Sequence, residues 1–196
     1  MEILFEDKSI VVCVKPVGLD SEHELPALLG DNIYTVHRLD KNVGGVMVYA
    51  KTKEAAADLS KQIQNGDMIK EYVAMVEGMP PEEGILEDLL FKDSRKNKVF
   101  VVARRRAGVK DAKLFYKRLS AGDNSLVHIR LYTGRSHQIR VQFASRGFPL
   151  VGDKKYGARG KEKEIHLFSC RLTFMHCGKM FVYAALPEWV IGDEVL

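Results

Sequence analysis

The stretch HRLDKNVGGVMVYAKT, from His37 to Thr52, decides how this chain is read. It opens on two basic side chains, His37 and Arg38, and places a carboxylate at Asp40. It then turns through Gly44-Gly45 into the apolar run Val46-Met47-Val48-Tyr49-Ala50. A solvated loop does not need the apolar run, and a core strand excludes charge. The pattern predicts a buried strand over 45–50 with a charged turn at its entrance. Asp40 is then either a working group or a local ion-pair partner.

Working outward, residues 10–14 form another unbroken apolar run, read as a strand closed by the turn Lys15-Pro16-Val17-Gly18. Residues 25–29 read as a short helix ending at Gly30. Thr52 is a fitting N-cap for a helix from 53 to about 64. Ala56, Leu59 and Ile63 share a face of that helix, and Asn65-Gly66 ends it. Residues 71–76 read as a strand, with Pro80-Pro81 opening a loop. Further strands are expected over 99–103, 113–119, 126–132 and 181–184, with a helix over 136–146 capped by Ser136 and ended by Gly147. Strands and helices mix without regular βαβ alternation. The fold class expected is α+β around a largely antiparallel sheet, as one domain over residues 1–196.

The bulk numbers narrow the function classes. With 46% hydrophobic and 29% charged residues, the chain is globular rather than disordered. No apolar run approaches the ~18 residues of a membrane span. The acidic N-terminus lacks the basic start of a signal peptide. Three cysteines without a CxxC fit a reducing cytoplasm. The net charge is only +4, yet residues 92–113 hold nine basic and two acidic side chains, including Arg104-Arg105-Arg106. Such a segment suits a polyanionic partner, most simply nucleic acid.

Several chemistries find no support. There is no GxGxxG, no GxxxxGK[ST] and no GxSxG. His166, Cys170, His176 and Cys177 have zinc-ligand chemistry but match no common zinc spacing, so no metal and no cofactor is expected. Side chains alone must then carry any reaction.

A second constellation lies at Thr133-Gly134-Arg135-Ser136-His137-Gln138-Ile139-Arg140, where a strand gives way to a helix. In chain order, His37-Arg38-Leu39-Asp40, this segment, and Gly147-Phe148-Pro149-Leu150-Val151-Gly152-Asp153-Lys154-Lys155-Tyr156-Gly157 resemble the RluA-type pseudouridine synthases. Their pattern is HRLDxxTSG, then TGRTHQIR, then a GxP[IVL]xGDxxYG run. Lys15-Pro16-Val17-Gly18-Leu19 is similar to the family's early KPxGL turn, and Lys70-Glu71-Tyr72-Val73-Ala74 to its KxYxA strand. Asp111-Ala112-Lys113-Leu114-Phe115-Tyr116 sits where the family has AxTxY. The resemblance runs from about residue 10 to Pro187.

What the resemblance implies is specific. The fold is the pseudouridine synthase fold, a mixed, largely antiparallel bent sheet with flanking helices and a central RNA-binding cleft. The family's N-terminal accessory RNA-binding domain is expected to be absent. The activity is isomerisation of a uridine in structured RNA, rRNA or tRNA, by a cytoplasmic, monomeric enzyme without cofactor. Asp40 matches the essential Asp, and Arg135 the Arg that pairs with it and opposes the desolvation that favours a neutral acid. Tyr72 matches the active-site Tyr, able to stack on uracil. Arg38, His37, Lys15 and Arg104-Arg105-Arg106 are the expected RNA contacts, although His37 better suits support of its turn and Lys15 suits either role.

Two departures stand out. The family's Thr-Ser is Val43-Gly44 here, and its Thr after the Arg is Ser136. The first favours an alternative, an RNA-binding or RNA-chaperone protein that retains the fold with impaired catalysis. A glycoside hydrolase would need a second carboxylate such as Asp153, which no spacing argument pairs with Asp40.

Overall fold

The computed structural model describes residues 1–190. In chain order the elements are β1 (Glu2–Glu6), β2 (Ile10–Lys15), α1 (Glu24–Leu29), β3 (Tyr34–Thr35), β4 (Gly44–Ala50), α2 (Lys53–Asn65) and β5 (Ile69–Glu77). There follow β6 (Glu83–Asp93), β7 (Lys98–Val102), β8 (Val109–Arg118), β9 (Asn124–Leu131), α3 (Gln138–Ala144), a 3₁₀ turn (Lys154–Tyr156), β10 (Leu167–His176) and β11 (Lys179–Ala184). The class is α+β, with antiparallel pairing predominant and helices few, as expected. No described helix is long and apolar enough to cross a membrane.

The chain divides into two compact units. Among the described residues, the first holds 1–71 and 168–190. Its strands lie in the order β1-β2-β4-β10, with β3 on β4 and β11 on β10. The β2–β4 pairing is antiparallel, whereas β4 and β10 run parallel through Phe168↔Gly44 and Ser169↔Gly45. All seven residues of β4 are buried, which is why its sequence is apolar without alternation. Val46, Val48 and Ala50 join Ile10, Val12, Leu172 and Phe174 in a core covered by Leu59 of α2. Fully burying a Val or Leu side chain stabilises by roughly 1.5–3 kcal/mol. Tyr49 is also fully buried and donates its hydroxyl to the Ser21 carbonyl at 2.9 Å.

The helix α2 obeys its sequence signals. Thr52 Oγ1 accepts from the Ala55 N–H at 3.2 Å, and Gly66 ends the helix in the left-handed region at φ 81°. The buried Gln62 bonds the Met175 backbone twice, Nε2 donating to its carbonyl and Oε1 accepting from its N–H, each at 2.8 Å.

The second unit holds residues 72–167, with strands in the order β5-β9-β8-β6-β7. Its helix α3 packs Val141 against Leu90, Val99 and Ala112. Phe143 meets the Tyr116 ring edge-on at 5.1 Å. Gln142 Nε2 donates to the Leu86 carbonyl and to Asp88 Oδ2, which fixes α3 to β6.

Four strands were not legible from pattern: β1, β3, β6 and β10. Strand β6 carries Gly84 and four acidic side chains in its span. Its stability comes from antiparallel partners on both sides, β7 and β8, rather than from local propensity. The helix expected over 136–146 is shorter. It begins at Gln138, behind His137 at φ 51°, and Ser136 does not cap it. His176 and Cys170 lie in β10, and Cys177-Gly178 forms the tight turn to β11 with φ 48° and 72°.

Candidate active site

In the first unit, Asp40 stands at the first position of a turn closed by the Val43 N–H donating to its carbonyl at 2.9 Å. Both neighbours in sequence are tied down. The buried Ser21 Oγ donates to the Leu39 carbonyl at 2.9 Å and accepts from the Leu39 N–H at 3.2 Å. The Lys41 carbonyl accepts from the Gly18 N–H at 2.8 Å and from Lys15 Nζ at 3.3 Å. Lys15 Nζ also donates to the Pro16 carbonyl at 2.9 Å. The half-buried Asp40 is thus held on a frame made by the KPVG turn and the Ser21 segment.

Lys15 is fully buried, which favours the second of its two expected roles, support of the turn. An ammonium without solvent access cannot reach a phosphate, so Lys15 serves the turn. Burial pulls its pKa down to about 8, opposed by the carboxylates of Asp20, Asp40 and Glu24. His37 likewise supports structure. Its Nε2 accepts from the Val48 N–H at 3.1 Å, and burial, with Lys70 nearby, lowers its pKa to about 3. A neutral imidazole has no charge to offer a phosphate. Arg38 is exposed, and its Nη1 meets Glu22 Oε2 at 2.7 Å.

The departure at Val43-Gly44 has a packing reason. A Cβ on Gly44 would lie 3.1 Å from the Lys15 carbonyl oxygen and 3.2 Å from the Phe168 ring. The next glycine is more constrained. Gly45 has φ 128°, and a Cβ there would stand 2.4 Å from the Ser169 carbonyl oxygen.

In the second unit, Arg135 is exposed at the turn before α3. Its Nε donates to the Asp111 carbonyl at 2.8 Å, and its N–H donates to Gln138 Oε1 at 3.0 Å. Gln138 is the organiser of this turn. Its Oε1 also accepts from Thr133 Oγ1 at 2.7 Å, and its Nε2 donates to the Lys113 carbonyl at 3.1 Å. Tyr72 is buried on β5 with 6% exposure. Arg104, Arg105 and Arg106 lie exposed between β7 and β8. Arg105 grips Asp111 with two bonds, at 2.6 and 2.9 Å, and Arg106 lies over the Phe91 ring at 4.4 Å.

Residue patterns missed one assembly behind this turn. Arg140 and Asp153 form a buried two-bond ion pair, at 2.6 and 2.9 Å. The Arg140 guanidinium lies 5.2 Å from the Tyr156 ring centre, and the Tyr156 hydroxyl is 2.8 Å from His137 Nδ1 and accepts from the Val99 N–H. The signal was present as a basic residue on an otherwise apolar helix face and an Asp next to a glycine. Asp153 is committed to Arg140 and does not serve as a second acid.

Solved structures share this architecture. The human protein RNA pseudouridylate synthase domain containing 1 matches with a TM-score of 0.85, covering 96% of this chain and 84% of its own at 19% identity. Human RNA pseudouridylate synthase domain containing 4 matches with a TM-score of 0.79, covering 96% and 89% at 24% identity. The fold is therefore of the pseudouridylate synthase class. In sequence, residues 9–145 match the family model described as RNA pseudouridylate synthase. Ribosomal large subunit pseudouridine synthase D of Nitrosomonas europaea is 32% identical, covering 96% of this chain and 62% of its own length. The Zymomonas mobilis protein of that name is 32% identical, covering 100% and 67%. The tRNA pseudouridine(31) synthase of Saccharomyces cerevisiae is 32% identical, covering 79% and 46%. The chain thus spans from under half to two thirds of the length of these relatives. It belongs to the RNA pseudouridylate synthase family.

Proposed function

We propose that this chain isomerises a uridine in structured RNA to pseudouridine, with Asp40 as the catalytic carboxylate. The observation that carries the reading is the frame around Asp40, in which buried groups on both sides fix the backbone of a half-buried carboxylate. A pre-positioned carboxylate suits this chemistry. It attacks covalently or stabilises cationic character at C1′ while the N1–C1′ bond breaks. The uracil turns, C5 bonds to C1′, and the C5 proton leaves.

The family resemblance gives Arg135 the role of counter-charge and Tyr72 the role of stacking ring and aid to C5 deprotonation. Arg38 fills the space left by the extruded base or contacts the backbone. Arg104, Arg105 and Arg106 hold RNA phosphates through charge. The reaction needs no cofactor. We place the protein in the cytoplasm as a monomer acting through one catalytic domain. The names of relatives, which act on ribosomal large subunit RNA or on tRNA, point to rRNA or tRNA as the substrate class.

The test is release of tritium from RNA carrying 5-tritiated uridine. The unaltered chain should release it, and Asp40→Asn should not. Silence from both, with RNA binding intact, would favour a binding protein that retains the fold, for which Val43-Gly44 is the supporting feature.

A further inference from the structure

Resting on that reading, we infer that the cavity beside the Gly134-Arg135-Ser136 turn is a subsite for a backbone phosphodiester of the RNA. The cavity measures ≈160 Å³ and lies within the second unit. Lys92, Lys110 and Arg135 line it, and no carboxylate does. Leu90 and Val99 also line it, and both belong to the packed cluster under α3.

Strand register explains why the cations converge. Lys110 of β8 lies opposite Leu90 of β6, and Lys92 follows Leu90 by two residues. Side chains two apart on a strand share a face, as do directly paired residues. Lys92 and Lys110 therefore stand on the same sheet face. Arg135 is brought alongside by two bonds: its backbone N–H donates to Gln138 Oε1, and its Nε donates to the Asp111 carbonyl, which holds the guanidinium. Gly108 and Gly134 line the cavity without side chains.

The surrounding charges are already committed. Asp93 Oδ1 accepts the N–H groups of Arg95 and Lys96, and the Asp111 carboxylate is gripped by Arg105. Lys98 lies over the Tyr156 ring, and Lys155 Nζ donates to the Asn97 carbonyl. Among the described residues, Lys92 and Lys110 form no ion pair, and the Arg135 guanidinium is anchored on the Asp111 carbonyl. Three like charges around one small cavity repel one another, and an anion seated between them relieves that repulsion. The larger cavity of this unit, ≈520 Å³, has the opposite balance, since Glu87, Asp88 and Asp111 line it beside a single lysine. Anion selectivity thus belongs to the smaller site.

The experiment measures RNA affinity on the Asp40→Asn background, so that turnover does not enter. The pair Lys92→Gln and Lys110→Gln is compared with Lys53→Gln and Lys61→Gln, an equal charge change on exposed positions of α2. Affinity for an unmodified ribosomal RNA transcript is followed from 50 to 200 mM KCl. The site pair should weaken binding about tenfold and make the log–log salt slope shallower by roughly 0.7–0.9, the value for one phosphate contact. Lys92→Arg with Lys110→Arg should retain affinity. If the site pair behaves like the α2 pair, the subsite is overturned. Tritium release by the unaltered chain with an unchanged slope would remove the subsite alone. A changed slope without tritium release from any RNA would remove the isomerase reading alone.

Discussion

Lys15 Nζ donates to the Lys41 carbonyl, so a fully buried ammonium holds the residue that follows Asp40. Its folded pKa of about 8 lies below the ordinary 10.5, chiefly through burial. Between those values the unfolded chain keeps a proton that the folded chain has released, so stability rises with pH. Relative to Lys15→Met, the unaltered chain should gain about 2 kcal/mol between pH 7 and pH 9.5. Urea unfolding of both proteins at the two pH values measures this. An equal response would mean that Lys15 reaches solvent.

His37 works in the opposite pH range. Its folded pKa of about 3 lies under the ordinary 6.5, because burial disfavours the charged ring and the Lys70 ammonium adds to that. As pH falls below 6.5, the unfolded chain takes up a proton that the folded chain refuses, and stability is lost. The ring keeps some surface, so the loss between pH 7 and pH 4.5 is put at about 2 kcal/mol. His37→Gln keeps an acceptor for the Val48 N–H and does not titrate. Its stability should fall less steeply over that range by this amount.

The Gly44 position tests the departure from the family's hydroxyl pair. Gly44→Ser restores one hydroxyl but drives its Cβ toward the Phe168 ring and the Lys15 carbonyl. Overpacking of this kind costs about 1–3 kcal/mol. Phe168→Leu on its own opens space and is also destabilising. Together the two changes should cost less than their sum by about 1 kcal/mol, as expected for residues in contact. Strict additivity in thermal unfolding would show that Phe168 does not fill the place of the missing side chain.

The strand β4 and the helix α2 were legible because burial on both faces and a capped amphipathic pattern leave local marks. Asp40 and Arg135 stood out for their order along the chain within a recognisable pattern. The role of Lys15 was not legible. Nothing local distinguishes a lysine that reaches solvent from one that turns inward to the carbonyls of Pro16 and Lys41. Gln138 was hidden for the same reason, since its partners Thr133 and Lys113 come from neighbouring elements. Strand β6 owes its form to β7 and β8, and its own residues carry little strand preference.

The Arg140–Asp153 pair gives the last prediction. Both side chains are almost wholly buried, and each is the other's charge partner. Asp153→Leu leaves a guanidinium stranded among apolar groups, which costs about 3–5 kcal/mol. Arg140→Met combined with Asp153→Leu removes both charges and should recover most of that loss. The double variant also removes the cation beside the Tyr156 ring, whose hydroxyl contacts His137 and Val99. Urea unfolding of the two single variants and the double variant completes the cycle. A double variant as unstable as Asp153→Leu alone would mean that the pair also positions the 3₁₀ turn, a task that apolar packing cannot replace.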